Sequence, residues 1–241
     1  MTSLRKMAAL GSLAISAVAA GNVWAGPIVT AGGKAATPTK YVVTFKSIEF
    51  RRSDGTFFTF FSGSSSIDLG SGQVQPGGTG GSIGAGVSMP PGSYNGLRVT
   101  VSRDFTASGT ASAVGPAAGV TCSTGGAGNT TTGGYTIQNV NRNGATADRV
   151  VSIPPQADAA INGVTGMAIV GAANDLQRTT TLPTFTILPT AATQPAIGVQ
   201  FDVANTIEFL NDGANCYAIS LPPTVTFTDP GGRSTTLANP I

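Results

Sequence analysis

The side chains able to do chemistry in this chain are two cysteines and eleven carboxylates; there is no histidine. Without histidine the chain lacks the commonest general base, the Ser-His-Asp and Cys-His constellations and the commonest transition-metal ligand. Cys122 and Cys216 lie 94 residues apart with no Cys-x-x-Cys spacing, which argues against a thiolate zinc site. Paired carboxylates can hydrolyse glycosides without histidine. Asp68, Asp104, Asp148, Asp158, Asp175, Asp202 and Glu208 are the candidates, and none falls in a recognisable local signature. No catalytic residue and no cofactor is assigned, and the expectation is a protein that is not an enzyme.

Calcium needs only oxygen ligands. Asp202, Asn205, Asn211 and Asp212 lie within eleven residues and bracket an expected strand. There is no Asp-x-Asp-x-Asp-Gly loop, and Asn211-Asp212-Gly213 is what a hairpin turn selects on its own account. Turn chemistry is therefore the preferred reading, with a calcium site as the alternative and no metal ligand assigned. The glycine loops at 77–81 and 125–134 are followed by no Gly-Lys-Ser/Thr, so a phosphate cradle is not indicated.

What must position these groups begins with an export signal. Arg5 and Lys6 precede an apolar run from Met7 to Ala20, and Val23-Trp24-Ala25 offers a small-residue cleavage site after Ala25. The run is too short to span a ~30 Å hydrocarbon core. The expected product starts at Gly26, is secreted to an extracellular or periplasmic space, and lacks a membrane anchor. In such a compartment two cysteines favour a Cys122–Cys216 disulfide, tying the glycine-rich middle to the last hairpin.

Removing Arg5 and Lys6 leaves eleven basic against eleven acidic residues, a neutral chain. Charged residues are 10% of the total, well under the roughly 25% of ordinary soluble domains. Arg51-Arg52 is the one adjacent basic pair, so nucleic-acid binding is not expected. Weak charge repulsion permits self-association.

Residues 26–40 read as a flexible N-terminal arm, within which Ile28-Val29-Thr30 is a β-prone segment able to donate a strand to a neighbour's sheet edge. Tyr41 to Phe50 is a strand whose apolar phase changes at Lys46-Ser47, which predicts a bulge. Asp54-Gly55 predicts a hairpin leading into Phe57-Phe58-Thr59-Phe60-Phe61, read as a strand buried on both faces. Leu97 to Ser102 alternates as a half-buried strand, and Tyr135–Ile137 pairs with Val150–Ile153 across Asn143-Gly144. Ala157 to Leu176 mixes helical spacing with glycines that weaken a helix. Phe185–Leu188, Ile197–Val203, Ile207–Phe209, Cys216–Leu221 and Thr224–Thr228 complete the strands. The pattern predicts one all-β domain over 41–241, a two-sheet antiparallel sandwich with a long Gly/Thr/Ala-rich insertion at about 103–180.

Two stretches carry a resemblance. Tyr41 through Asp54-Gly55 and Ile67-Asp68-Leu69 to Pro91-Gly92-Ser93-Tyr94-Asn95-Gly96-Leu97-Arg98-Val99 is one, and Gln200-Phe201-Asp202-Val203-Ala204-Asn205-Thr206-Ile207 with Tyr217–Pro223 is the other. Together they resemble an uncharacterised bacterial family of exported domains, domain of unknown function 4382. The resemblance implies a β-sandwich of the prealbumin or carboxypeptidase-regulatory type and no enzymatic role. This chain lacks the lipid-modified cysteine common in that family and has Gln200 where an acidic residue is expected. The functional expectation is a secreted structural or adhesive surface protein, a subunit of an extracellular filament or matrix. The alternative is a monomeric periplasmic binding or accessory domain for carbohydrate or calcium, with a cleft formed by loops 70–88 and 103–134.

Overall fold

A computed structural model describes residues 33–71, 89–115, 120–132, 135–153, 158, 166–189, 197–220 and 223–237. The signal segment with its Ala25 junction, Ile28-Val29-Thr30, the 77–81 glycines and most of 157–165 lie outside the described residues. The fold is all-β and antiparallel throughout, with sandwich-like layering.

One layer is a six-stranded sheet of unusually long strands. β2 (Lys40–Arg52), β3 (Phe57–Asp68), β4 (Gly92–Ser108) and β11 (Asp175–Ile187) are 13, 12, 17 and 13 residues long. With the short β9 (Arg149–Ser152) and β10 (Met167–Val170), they run in the order β10-β11-β4-β2-β3, with β9 also paired to β4. At about 3.3 Å per residue, β2 alone spans about 43 Å. The opposite layer is divided into two sheets. A seven-stranded sheet contains β1 (Lys34–Ala36), β13 (Ile207–Asn211), β14 (Cys216–Ser220), β8 (Tyr135–Arg142), β6 (Thr121–Ser123) and β5 (Thr110–Ser112) in that order, with β7 (Asn129–Thr132) on β8. A three-stranded sheet is ordered β12 (Gly198–Asp202), β15 (Thr224–Thr228), β16 (Ser234–Leu237). The strands thus distribute over three sheets where the sequence predicts two.

Each half of the long sheet therefore has its own core. Tyr41, Val43, Phe45, Val101 and Phe105 pack on Ile207, Phe209, Ala218 and the two cysteines of the seven-stranded sheet. Phe50, Tyr94, Leu97, Phe185 and Ile187 pack on Val225, Phe227 and Leu237 of the three-stranded sheet. Ile48, Val99 and Phe201 are partly buried against both cores and mark the seam. The bulge expected at Lys46-Ser47 lies there. Phe45 pairs with Val101 but Ser47 pairs with Thr100, so β2 carries one extra residue at the seam. That residue moves Ile48 and Phe50 onto the same face as Tyr41, Val43 and Phe45.

Local chemistry closes the turns. Asp54 Oδ1 accepts the Thr56 N–H at 2.8 Å, Gly55 takes φ 88°, and the β2–β3 hairpin forms as expected. The buried Asp229 carboxylate accepts the N–H groups of Gly231 and Arg233 at 2.8 and 3.0 Å and the Arg233 Nε–H at 2.6 Å. Arg233 Nη2 in turn donates to Thr184 O at 3.0 Å, tying the β15–β16 turn to β11.

Four expectations need correction. Residues 34–36 of the predicted arm are not free: they form β1, in register Lys34↔Phe209, Ala35↔Glu208 and Ala36↔Ile207, because the edge of β13 offers backbone partners that composition does not reveal. Residues 103–180 are not an appended insertion. They complete β4, provide β5 to β10 and begin β11, in both large sheets. Tyr135–Ile137 and Val150–Ile153 do not form a hairpin, since β8 pairs with β14, β6 and β7 while β9 pairs with β4. Asn143 does turn the chain, at φ 53°, but its side chain and N–H bond to Thr121 and send the chain between layers. The Phe57–Phe61 run is half-buried, not buried on both faces, because β3 is the last strand of its sheet.

The Cys122–Cys216 disulfide forms inside the first core, with both cysteines at 1% exposure or less and Cα atoms 5.6 Å apart. It joins β6 to β14, both hydrogen-bonded to β8, so one covalent link closes a three-strand circuit. Reduction, or replacement of both cysteines by serine, should lower unfolding free energy by several kcal/mol, against about 4–5 kcal/mol from the chain-entropy model for this loop; denaturant midpoints measure it. Phe50 makes ring contacts with Phe60, Tyr94, Phe185 and Phe227. Phe50→Ala should cost about 3–5 kcal/mol in the same experiment.

Candidate functional site

The carboxylates singled out from the sequence are scattered over the fold, and most are occupied. Asp68 Oδ1 accepts the N–H groups of Tyr41 and Gly70 at 2.9 and 3.0 Å. Asp104 accepts from Ser152 Oγ, Asp148 pairs with Lys40, and Asp158 pairs with the largely buried Arg103. The hydrogen bond and charge of Asp148 raise the pKa of Lys40.

The four oxygen residues considered for calcium are divided between the two ends of β13. Asp202 Oδ1 accepts the Ala204 N–H at 2.9 Å, and Asn205 occupies the left-handed region at φ 58°. At the far end Asn211 accepts the Gly213 N–H at 2.7 Å and donates to Val114 O at 3.1 Å. Asp212 accepts from Ala214 and Asn215, both at 2.8 Å, and the backbone bond from Asn215 is the leading cause of its lowered pKa. These are turn-closing contacts, and the residues do not converge. Among the described residues no group of three or more His, Cys, Asp or Glu is placed to hold a metal ion.

The expected cleft is also altered. Residues 103–112 and 121–132 are largely strand, so they cannot serve as a loop lip, and 72–88 lie outside the described residues.

What the fold does assemble is a polar face on the long sheet. Arg98 makes a bidentate ion pair with Glu49, 2.7 Å at both oxygens, and its guanidinium carbon lies 3.7 Å from the centre of the Phe57 ring. The three meet because Arg98 is directly opposite Glu49 on the neighbouring strand and Phe57 is on the next strand over. Alongside runs a row of hydroxyls and an amide: Ser47 Oγ donates to Thr100 Oγ1 at 3.0 Å, and Gln177 Nε2 donates to the same oxygen at 3.2 Å. Every charge in the Arg98–Glu49 pair is satisfied within the protein. The arrangement holds strands in register and carries no spare acid or base.

Beyond this face lies β3, whose outer backbone edge has no strand partner among the described residues. Its one ionisable side chain is Asp68, at the last position. Extra residues at Phe60 and around Gly63 break the pairing with β2 into short regular stretches.

Glu208 is the exception among the acids. It is 8% exposed, has no hydrogen bond or ion pair among the described residues, and burial raises its pKa. It sits on the face of β13 opposite the first core, directly beneath Gly33: a Cβ built on Gly33 would fall 2.1 Å from Glu208 Oε1. The sequence marks Glu208 as one of seven candidate acids but gives no sign that it is the buried one. Its flanking residues Ile207 and Phe209 signal a strand, and the two-sided burial of that strand is a tertiary effect.

Comparison with family models, with curated proteins and with solved structures finds no match to this chain. Among the described residues no helix is long and apolar enough to cross a membrane.

The unpaired acid generates a signed prediction. A carboxyl whose folded pKa is raised binds its proton more tightly in the native state, so it adds no penalty at low pH and destabilises the fold once pH rises past the unfolded value. Glu208→Gln should therefore be more stable than the natural protein at pH 7, on the order of 1 kcal/mol for relieving an unpaired buried group. The gap should close as pH falls below the ordinary carboxyl value of 4.5. Denaturant midpoints across this range test it, and a gap independent of pH would contradict it.

Proposed function

We propose that this protein is an exported, non-enzymatic structural or adhesive surface component that associates with copies of itself through sheet edges. The open edge of β3 carries the reading. Twelve residues, Phe57–Asp68, end a long sheet without a described partner and with a single charge at the extreme end. Proteins that must stay apart commonly protect such an edge with lysine or proline, and this one has neither. Thr59, Ser62, Ser64 and Ser66 on it are exposed, giving a surface able to pair without desolvating charge. Two copies meeting edge to edge about a two-fold axis would each present the same strand. The bulges limit such pairing to a few residues at a time, which suits reversible association.

Further support comes from outside the edge. The charged start, apolar run and Ala25 junction of the N-terminal segment fit export. A buried disulfide fits an oxidising destination. The occupied carboxylates and the internally satisfied Arg98–Glu49 pair fit a scaffold role better than a reacting one.

The test is the mass of the purified protein across concentration, by light scattering with negative-stain microscopy, for the natural chain and for Thr59→Lys with Ser62→Lys. Association in the natural chain and its loss in the doubly substituted one, with unchanged circular dichroism, is the expected result. A monomer at every concentration would sink the reading and favour a monomeric binding or accessory domain. Assemblies that survive both lysines would remove β3 as the contact.

A further inference from the structure

The edge strand β3 has almost no charge of its own, but its neighbour brings one to it. Lys46 is the extra residue of β2 at the seam, since Phe45 pairs with Val101 and Ser47 with Thr100. On the other side of β2, Phe45 pairs with Ser65 and Ser47 with Ser62, so Lys46 stands opposite both Gly63 and Ser64. Its Nζ donates to Ser64 Oγ at 3.5 Å in an exposed contact. The ammonium is thereby carried from a strand inside the sheet to the outermost one.

The other cations near β3 are held differently. Arg98, stacked on the Phe57 ring, is neutralised by both oxygens of Glu49. Arg51, opposite Phe57, is bonded to Asn95 on β4, on the side of β2 away from the edge. Lys46 has a hydroxyl for its partner and no carboxylate within ion-pair distance among the described residues. A full positive charge therefore stays at the edge.

Ser64 is also close to the middle of the strand. β3 runs from Phe57 to Asp68, so its midpoint falls between Ser62 and Gly63. Two copies paired antiparallel about a two-fold axis engage the most backbone when the axis passes near this midpoint. With the axis at Ser62, the two Ser64 residues stand four residues apart along the pair and one strand spacing across, about 14 Å in all. Charges at that separation interact at low salt, where the screening length is ~30 Å at 0.01 M, and are largely screened at 0.15 M, where it is ~8 Å.

Resting on the edge-pairing reading above, we propose that Lys46 restrains pairing at β3, because two copies set its positive charge against itself across the axis. Lysine is a common protector of exposed sheet edges; here the second strand supplies it. The net charge of +2 on the whole chain is too small to keep copies apart by itself. The restraint is local and keeps each contact reversible.

A charge exchange at this one position tests it. Labelled natural protein is titrated with unlabelled natural protein or unlabelled Lys46→Glu in ~0.01 M salt, and binding is followed by sedimentation with fluorescence detection. Lys46→Glu is expected to bind the labelled protein several-fold more tightly than a second natural copy does, with Lys46→Gln in between. The preference should vanish at ~0.5 M salt. Should Lys46→Glu fail to fold, as circular dichroism would show, Lys46→Gln takes its place with a smaller gain expected. Equal affinity for natural and substituted partners overturns the role of Lys46, and leaves edge pairing standing where Thr59→Lys with Ser62→Lys abolishes binding. A preference that persists at high salt, or that survives those two lysines in the same partner, also overturns it, because the charge would then act elsewhere than at β3. No binding to any partner at any concentration overturns both the restraint and the pairing beneath it.

Discussion

The rest of the architecture depends on the pairing of β2 with β4, because these strands are longer than either sheet they face. A strand of 13 or 17 residues cannot lie over a five-residue strand and remain covered along its length. The opposite layer has therefore to supply two sheets end to end. Chain connectivity does this economically: β12 lies in the three-stranded sheet, β13 and β14 in the seven-stranded one, and β15 returns to the first. The two cores meet at Ile48, Val99 and Phe201, where β2 carries its extra residue. Without that residue, one of the cores would receive the polar side of β2, since a one-residue slip exchanges the two faces of a strand.

Features whose cause is local are legible in the sequence. The phase change after Phe45 marks the bulge, Asp54-Gly55 marks the first hairpin, and Asn211-Asp212-Gly213 marks the turn between β13 and β14. In each case a few neighbouring side chains contain the physics. The disulfide is legible too, because compartment and count constrain it. What is not legible depends on distant partners. Lys34-Ala35-Ala36 has nothing strand-like about it, and becomes a strand because Ile207–Phe209 present a backbone edge. Asn143-Gly144 has the chemistry of a hairpin turn, but β8 and β9 find better partners in different layers. The low-complexity stretch from Thr106 to Gly134 looks like loop because its side chains are small, yet small side chains are what let β5 and β6 pass close to the disulfide and to Gly109, whose N–H is held by the buried Thr124 at 2.9 Å.

The distribution of polar groups has a common logic. Aspartates close turns by accepting backbone N–H groups, and arginines are held by carboxylates or carbonyls between layers. Threonines and serines pair across strands on the outer faces, as at Thr44–Ser66 and Thr228–Ser234. A chain with 10% charged residues has few ions to spare, and this one places five of its eleven acids, Asp54, Asp68, Asp202, Asp212 and Asp229, in contacts that hold backbone. Site chemistry is correspondingly hard to read in the sequence, because an aspartate in a turn and an aspartate in a catalytic pair look alike there. Glu208 departs from the pattern: it is buried without a hydrogen bond or ion pair among the described residues.

That departure and the open edge of β3 lie at opposite limits of one constraint. A sandwich must end its sheets somewhere, and each end leaves backbone groups to be satisfied. At β13 the chain supplies its own answer: Lys34–Ala36 add a strand, and Gly33 lies close enough to Glu208 and Leu210 that it tolerates no side chain. At β3 the described chain supplies none, and bulges and hydroxyls take the place of a covering strand. The first edge is closed beside a buried acid that has no hydrogen bond or ion pair among the described residues, while the second has no strand partner among them. On the proposed reading, association would be concentrated at that second edge, whose twelve residues have no strand partner among the described residues. The two edges thus differ in how their backbone is met: β13 by a strand of the same chain, β3 by no strand among the described residues.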